Sequence, residues 1–424
     1  MAGHAATEAS PDRINQLQQQ IDALQNQLHE LQTRQDTAPQ ATEPAPTPTP
    51  PEQQQSVPNV LTFNGGVETG YQIEDSDIPN RRTGGDLYLQ DVILGASGQH
   101  GNISYDTSYW FLGGDEGFLQ TGEVSYQFGS DSPHSLTGGF FQVPFGNLPY
   151  GYESFYGNLA YEIGFTDNQG AGLGYTYQSG PWRIDVDAFK NNNLSQQATY
   201  GATPAGGYSQ INGGNARLAY TFDQGGSSQT TVSLAGQGGQ IEVGGGGGDN
   251  GSRWAATAAV NADIGAWNFQ GQYVDYRYDI PAGQTQDGAA LPTDAVTFEN
   301  YGGLYQVPAS AQIYRASAAR NFEVDWGPVT AWKLYDDYGY LDVGGRGRYT
   351  STVPGEGDTA TTGDGQFNIA GLAMEADPVY IWAEVLSSKD AAMSGVGPSD
   401  GDWHHSFMLS AAFYFSGQAI GAGS

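Results

Sequence analysis

The chain has 424 residues, of which 38% are hydrophobic and only 14% charged; it contains 62 glycines and no cysteine. Without cysteine there is no disulfide framework, thiol nucleophile or thiolate metal site, and a formal charge of −31 argues against a nucleic-acid partner, which needs Lys and Arg against phosphate. No apolar run of about 18 residues occurs, so no transmembrane helix is expected.

Soluble domains usually carry about 25% charged and 45–50% apolar residues. Here both are short, and Gly, Ser, Thr, Asn, Gln and Tyr fill the gap. That economy suits a neutral polar interior inside a thin apolar exterior, the arrangement of a transmembrane barrel whose strands alternate between lipid and lumen.

Residues 1–10 are expected to be a disordered start; they show no charged segment leading into an apolar one, so no signal peptide is expected in this stretch. Residues 11–35, "PDRINQLQQQIDALQNQLHELQTRQ", set Ile14, Leu17, Ile21, Leu24, Leu28 and Leu31 at alternating steps of three and four. This is an a/d seam with Ser10 and Pro11 as cap and first helical residue, and it predicts a short α-helical coiled coil. Ile at a with Leu at d favours a dimer in isolation. A single amphipathic helix lying on the rest of its own chain is the other reading. Residues 36–58 are Pro-rich and poor in hydrophobic residues, a solvated spacer.

From residue 59 to Phe415 the pattern has period two. In "VLTFNGGVETGY", Leu61, Phe63, Gly65 and Val67 alternate with Thr62, Asn64, Gly66 and Glu68; in "NISYDTSYWF", Ile103, Tyr105, Thr107 and Tyr109 alternate with Ser104, Asp106, Ser108 and Trp110. Such segments are half-apolar strands, many ending in the aromatic residues that interfacial girdles use. Seven short turns of Gly, Pro, Asp and Ser, such as "GSDSPH" (129–134) and "DWGPV" (325–329), alternate with eight longer connections. The count predicts an all-β fold: a 16-stranded antiparallel transmembrane β-barrel over 59–415, with about ten residues per strand.

Parity places the charges. In "WRIDVDAF", Trp182, Ile184 and Val186 take the lipid side, leaving Arg183, Asp185 and Asp187 inward. Arg217, Arg253 and Lys333 are inward by the same argument, and Arg277 and Arg315 are expected to join them although their strands alternate less cleanly. A charge on the lipid face near the midplane costs about 2–4 kcal/mol, which gives this placement its force. A barrel of this size keeps an aqueous interior unless plugged. The third long connection, 143–170, is expected to narrow it, with Tyr150, Tyr152, Glu153, Tyr156, Tyr161, Glu162 and Asp167 as the constriction; the tyrosines could instead serve a girdle or protomer contact. Solvated wall charges without selectivity are the alternative to a transverse field across the opening. The barrel region holds 13 Lys and Arg against 39 Asp and Glu, against strong anion selectivity.

No catalytic constellation is legible, and no enzyme activity is expected. His404 and His405 flank Ser406, but neighbours on a strand point to opposite faces and cannot pair as base and nucleophile. No cofactor or metal is expected: Gly244 to Gly248 lack the helix of a phosphate loop, and Asp75, Asp77, Asp115 and Glu116 match no calcium-loop spacing, though such loop acids suit divalent ions shared with lipopolysaccharide.

The last strand, "SFMLSAAFYF", puts Phe407, Leu409, Phe413 and Phe415 on one face. It resembles the terminal signal recognised by the outer-membrane barrel assembly machinery, except that the tail 416–424, "SGQAIGAGS", follows it. In position and length, the connection 143–170 resembles the third external loop that folds into the lumen of general porins. The whole arrangement resembles porins of the phosphate-selective O/P type and, in its coiled-coil arm, the DcaP-like dicarboxylate channels. The resemblance implies a homotrimer in Gram-negative outer-membrane lipid and lipopolysaccharide, with the arm in the periplasm and small hydrophilic solutes diffusing passively through the barrel. A structural barrel tied to a periplasmic partner through the arm is the alternative.

Overall fold

Period-two alternation leaves the backbone no way to satisfy its polar groups except by pairing with neighbouring strands, and a sheet rolled shut has no unpaired edge. The computed structural model of this chain describes residues 60–75, 78–112, 117–194, 200–244, 249–286, 288–300, 303–344, 349–352, 359–391 and 401–420. The expected disordered start, the coiled-coil seam from Ile14 to Leu31 and the Pro-rich spacer lie outside the described residues, as do Asp77, Asp115 and Glu116.

The barrel strands are β1 (Val60–Glu74), β2 (Asp86–His100), β3 (Ile103–Leu112), β4 (Gly117–Phe128), β5 (His134–Gln142), β6 (Gln169–Ser179), β7 (Trp182–Asn191) and β8 (Tyr208–Gly225). They continue as β9 (Ser228–Val243), β10 (Gly251–Ile264), β11 (Trp267–Asp279), β12 (Ser310–Trp326), β13 (Val329–Asp342), β14 (Gly365–Ala376), β15 (Val379–Lys389) and β16 (His404–Ile420). Each pairs antiparallel with its chain neighbours, and β1 pairs with β16 to close the barrel. The expected strand number and the seven short turns are observed. Strand lengths run from 9 to 18 residues rather than staying near ten, because several hairpins continue past their turns or into the loops. Among them, β16 continues beyond Phe415, where the barrel was expected to stop, and pairs Ile420 with Val60.

Parity holds along most strands. On β7, Ile184 and Val186 are exposed while Asp185 and Asp187 are buried; on β16, Phe407, Leu409, Phe413 and Phe415 are exposed while Ser406, Ser410 and Ala412 are buried. Arg277 is the exception to the expected placement. On β11 the inward set is Gln270, Gln272, Val274, Tyr276 and Tyr278, and the pairing of β11 with β12 runs without a register shift. Without a bulge to flip it, Arg277 faces outward, where its guanidinium pairs with Asp279. The same unbroken register turns Arg315 inward.

The interior of one half of the barrel is packed rather than aqueous. The described residues of three long connections come together there: 143–168, 192–194 with 200–207, and 280–286 with 288–300 and 303–309. The last two contribute a three-stranded sheet in the order Gly303–Pro308, Ala295–Asn300, Tyr200–Ala202. Val296 and Phe298 of this sheet are fully buried with Tyr276, Val274, Ile241 and Ile313 of the wall. Side chains of this size are worth about 1.5–3 kcal/mol each on full burial, which holds the connections inside.

Beneath them lies the most enclosed ion pair. Arg315 of β12 donates from Nε to both oxygens of Asp337 on β13, each at 2.9 Å, and from Nη1 to Gln270 Oε1 at 3.1 Å. Both side chains are fully enclosed. Removing one partner of such a pair strands a buried charge, at about 3–5 kcal/mol, whereas replacing both with apolar groups is often neutral. Arg315→Met should therefore lower the urea midpoint of the refolded barrel sharply, and Arg315→Met with Asp337→Leu should recover most of the loss.

Candidate functional site: the cavity beside the inward loop

The loop 143–168 carries Val143, Phe145, Leu159, Ile163 and Phe165 between polar residues and prolines, too apolar to remain in water. All five are buried. Phe165 packs on Phe145 and on Tyr276 of β11, with ring centroids 5.6 and 5.0 Å apart. Gly146 has φ +73 and lies so close to Gln272 that a Cβ would collide with its amide. Its carbonyl accepts from Arg217 Nε at 3.0 Å and from Ser233 Oγ at 3.1 Å, which ties the loop to β8 and β9. Asn215 adds a bond from Nδ2 to the Pro144 carbonyl at 3.0 Å.

From there the loop crosses the interior. Glu153 accepts from Lys333 Nζ of β13 at 2.8 Å and from Gln270 Nε2 of β11 at 3.2 Å. The Phe155 amide donates to Glu384 Oε1 of β15 at 3.0 Å, and the Tyr335 hydroxyl donates to the same oxygen at 2.6 Å. Tyr156 hydrogen-bonds Tyr88 of β2 and accepts from Ser410 of β16 at 3.3 Å. The residues 143–168 thus reach from β5 to the opposite wall. A one-turn helix, α1 (Leu159–Glu162), brings them back; Asn158 caps it by accepting from the Tyr161 amide at 2.9 Å. Leu159 rests on Gly339 of β13, where any Cβ would come within 2.6 Å of it.

Between the loop and the wall of β2 to β4 lies a cavity of about 690 Å³. Its lining includes Tyr150, Tyr152, Glu153, Tyr161 and Asp167 of the loop and Lys333 of the wall. Glu162 and Tyr156 are elsewhere. Glu162 is buried under the three-stranded sheet, where its carboxylate accepts from Asn300 Nδ2 at 3.1 Å and its carbonyl accepts from the Tyr305 hydroxyl. Tyr156 anchors the loop tip.

The inward charges on β7, β8, β10 and β12 do not border this cavity. Arg217 pairs with Asp185 at 3.5 Å beneath the loop, and Arg183 pairs with the same carboxylate at 3.0 Å. Asp187 accepts from Asn215 at 3.1 Å, and Arg253 donates to Gln237 at 3.0 Å in a narrow cleft at the loop's root. Three groups not singled out by parity alone do border the cavity or back it: Glu68, Asp106 and Trp110 of β1 and β3. The signal was present in the alternation, which already sets Glu68, Asp106 and Trp110 on the inward face of their strands. His405 of the "HHSF" segment bonds Ser387 at 2.8 Å, and Ser406 faces the other way.

Burial pushes the Glu162 carboxyl up to about 8, against the opposing effect of the Asn300 hydrogen bond. Burial also raises Asp167, to about 7, while hydrogen bonds from Tyr152, Gln142 and Gln169 pull the other way. For Glu162 the sign follows directly. The folded state holds its proton to higher pH than the unfolded chain, so stability is greatest below the ordinary carboxyl range and falls as pH rises towards 8. Glu162→Gln should flatten that fall, and urea midpoints at pH 4 and pH 8 should lie closer together than in the unaltered protein.

No protein-family model and no curated protein matches the chain. Among solved structures it is similar to OprB of Pseudomonas putida, with TM-score 0.51 and 8% identity over 84% of this chain and 94% of that one. It is also similar to OmpF of Salmonella typhi, in a structure with daunomycin, with TM-score 0.50 and 12% identity over 84% and 97%. These two likenesses show a shared barrel fold. The outer-membrane channel DcaP of Acinetobacter baumannii aligns at TM-score 0.49 and 11% identity over 84% and 97%.

Proposed function

We propose that this chain is a Gram-negative outer-membrane porin through which small hydrophilic solutes diffuse passively. The observation that carries the reading is the cavity of about 690 Å³ left open beside a loop that crosses the barrel and is bonded to both walls. A barrel filled only for stability would need no such crossing. The exposed aromatic and aliphatic side chains on the outward strand faces suit lipid, with Trp182, Trp267 and Trp326 at the short-turn end suiting a headgroup girdle. The proposal includes a homotrimer, assembly by the barrel machinery through the apolar face of β16, and a periplasmic arm formed by the seam from Ile14 to Leu31. It places the constriction at Tyr150, Tyr152, Glu153, Tyr161 and Asp167, and assigns Arg217, Arg253 and Arg315 to holding the loop and wall rather than lining the passage.

Conductance in a planar bilayer tests it. The folded barrel should give stepwise currents. Tyr150 is 60% exposed at the cavity, so Tyr150→Ala should raise the unit conductance and Tyr150→Trp lower it. A folded barrel that stays silent would sink the channel reading and favour a tethering role for the arm.

A further inference from the structure

If the barrel is a channel, the chemistry of its cavity specifies the solute more closely than its size does. The acidic lining is Glu68, Asp106, Glu153 and Asp167. Among the described residues lining it, Lys333 is the one cationic side chain, and that ammonium is already held by Glu153 at 2.8 Å. An acidic cluster alone specifies no ligand, but the side-chain amides around it add an independent observation. Gln169, 3% exposed, and Gln120, 7% exposed, both border the cavity with their side-chain oxygens unpaired. The Gln169 orientation is set by its Nε2, which donates to Asp167 at 3.4 Å. Behind Glu68, directly across the β1–β2 ladder, Asp91 is fully buried beside that carboxyl group. The unpaired atoms of Gln120 and Gln169 are therefore acceptors, and a buried acceptor left unpaired is costly. Aromatic faces complete the lining: Trp110, Tyr150, Tyr152, Phe155 and Trp382, with Phe155 and Trp382 4.9 Å apart. Such faces attract cations through the ring quadrupole.

We propose, on the basis of that channel reading, that the solute this cavity prefers is an organic cation bearing several N–H donors, of the polyamine or guanidinium class, and not a carboxylate. Its donors would meet the unpaired oxygens of Gln120 and Gln169, its charge the carboxylates of Asp106 and Glu153, and its methylene or planar body the aromatic faces. A dicarboxylate would bring like charges to a wall that is already acidic.

The test uses the full-length folded protein with spermidine and succinate as probes. In a bilayer carrying potassium current, spermidine added to one side should produce a sided, voltage-dependent block, and the reversal potential under a salt gradient should show cation preference. Succinate at the same concentration should produce neither. Asp106→Asn and Gln120→Leu should each raise the half-blocking concentration of spermidine, the former by roughly tenfold, equivalent to about 1.4 kcal/mol. Titration calorimetry of spermidine against the barrel in detergent measures the same site without relying on current. Equal block by succinate, anion preference, or no heat from spermidine at millimolar concentration would overturn the inference while leaving a conducting channel intact. Spermidine binding to a barrel that carries no current would overturn the channel reading instead.

Discussion

The pairing of β1 with β16 is the constraint on which the rest of the molecule depends. Fifteen residues of β1, from Val60 to Glu74, are matched to Ile420 through Ser406. Once this seam closes, each strand has an inside and an outside, and a side chain's parity decides whether it meets its neighbours across the lumen. Closure also fixes a finite interior that long connections can fill. The three that do so pack mainly against β7 to β14, with the tip of the first reaching β15, β16 and β2, and the wall of β1 to β4 faces the open cavity. The asymmetry of the lumen therefore comes from loops, while the strands supply an evenly alternating frame.

Much of that frame was legible in the sequence because period two is a local signal. The strand number, the short turns and the inward placement of Asp185, Asp187, Arg217 and Lys333 all follow from neighbours a few residues apart. Arg277 was not legible, since it breaks the template in which charges turn inward. Its outward position follows from an unbroken register, and its pairing with Asp279 two residues on supplies a local partner for the charge. The packed half-barrel was hidden for a different reason. Ile241, Val274, Tyr276 and Ile313 are apolar residues on the inward face, and composition alone cannot distinguish them from an outward apolar face. Their partners, Val296, Phe298 and Phe165, sit in connections whose destination depends on contacts across the barrel. The third connection was identified from its length and aromatic content, but that its charges would be divided between an open cavity and a buried anchor depended on which wall each one met.

The charges on the inner wall consequently fall into two populations with different physics. Arg315, Asp337, Arg217 and Asp185 are enclosed and compensated in pairs, and they act as fasteners beneath the packed connections. Glu68, Asp106 and Asp167 stand at the cavity with little opposing positive charge, and their field reaches whatever occupies it. A count of 13 basic against 39 acidic residues in the barrel region understates this contrast, because most of the inward basic groups are engaged on the enclosed side.

The crossing loop also constrains the order in which the barrel can be built. Its near anchors, Arg217 and Ser233, lie 71 and 87 residues from Gly146. Its far anchors are much more remote: Glu384 is 229 residues from Phe155, and Ser410 is 254 residues from Tyr156. Contacts of such sequence separation form late, since the intervening chain must first be confined. The loop tip therefore lacks its Glu384 and Ser410 anchors until β15 and β16 are in place, and the strands that complete the final seam also complete the seating of the loop. Closing the wall therefore completes the lumen as well: a barrel without its last two strands lacks two of the bonds that hold the crossing loop in place.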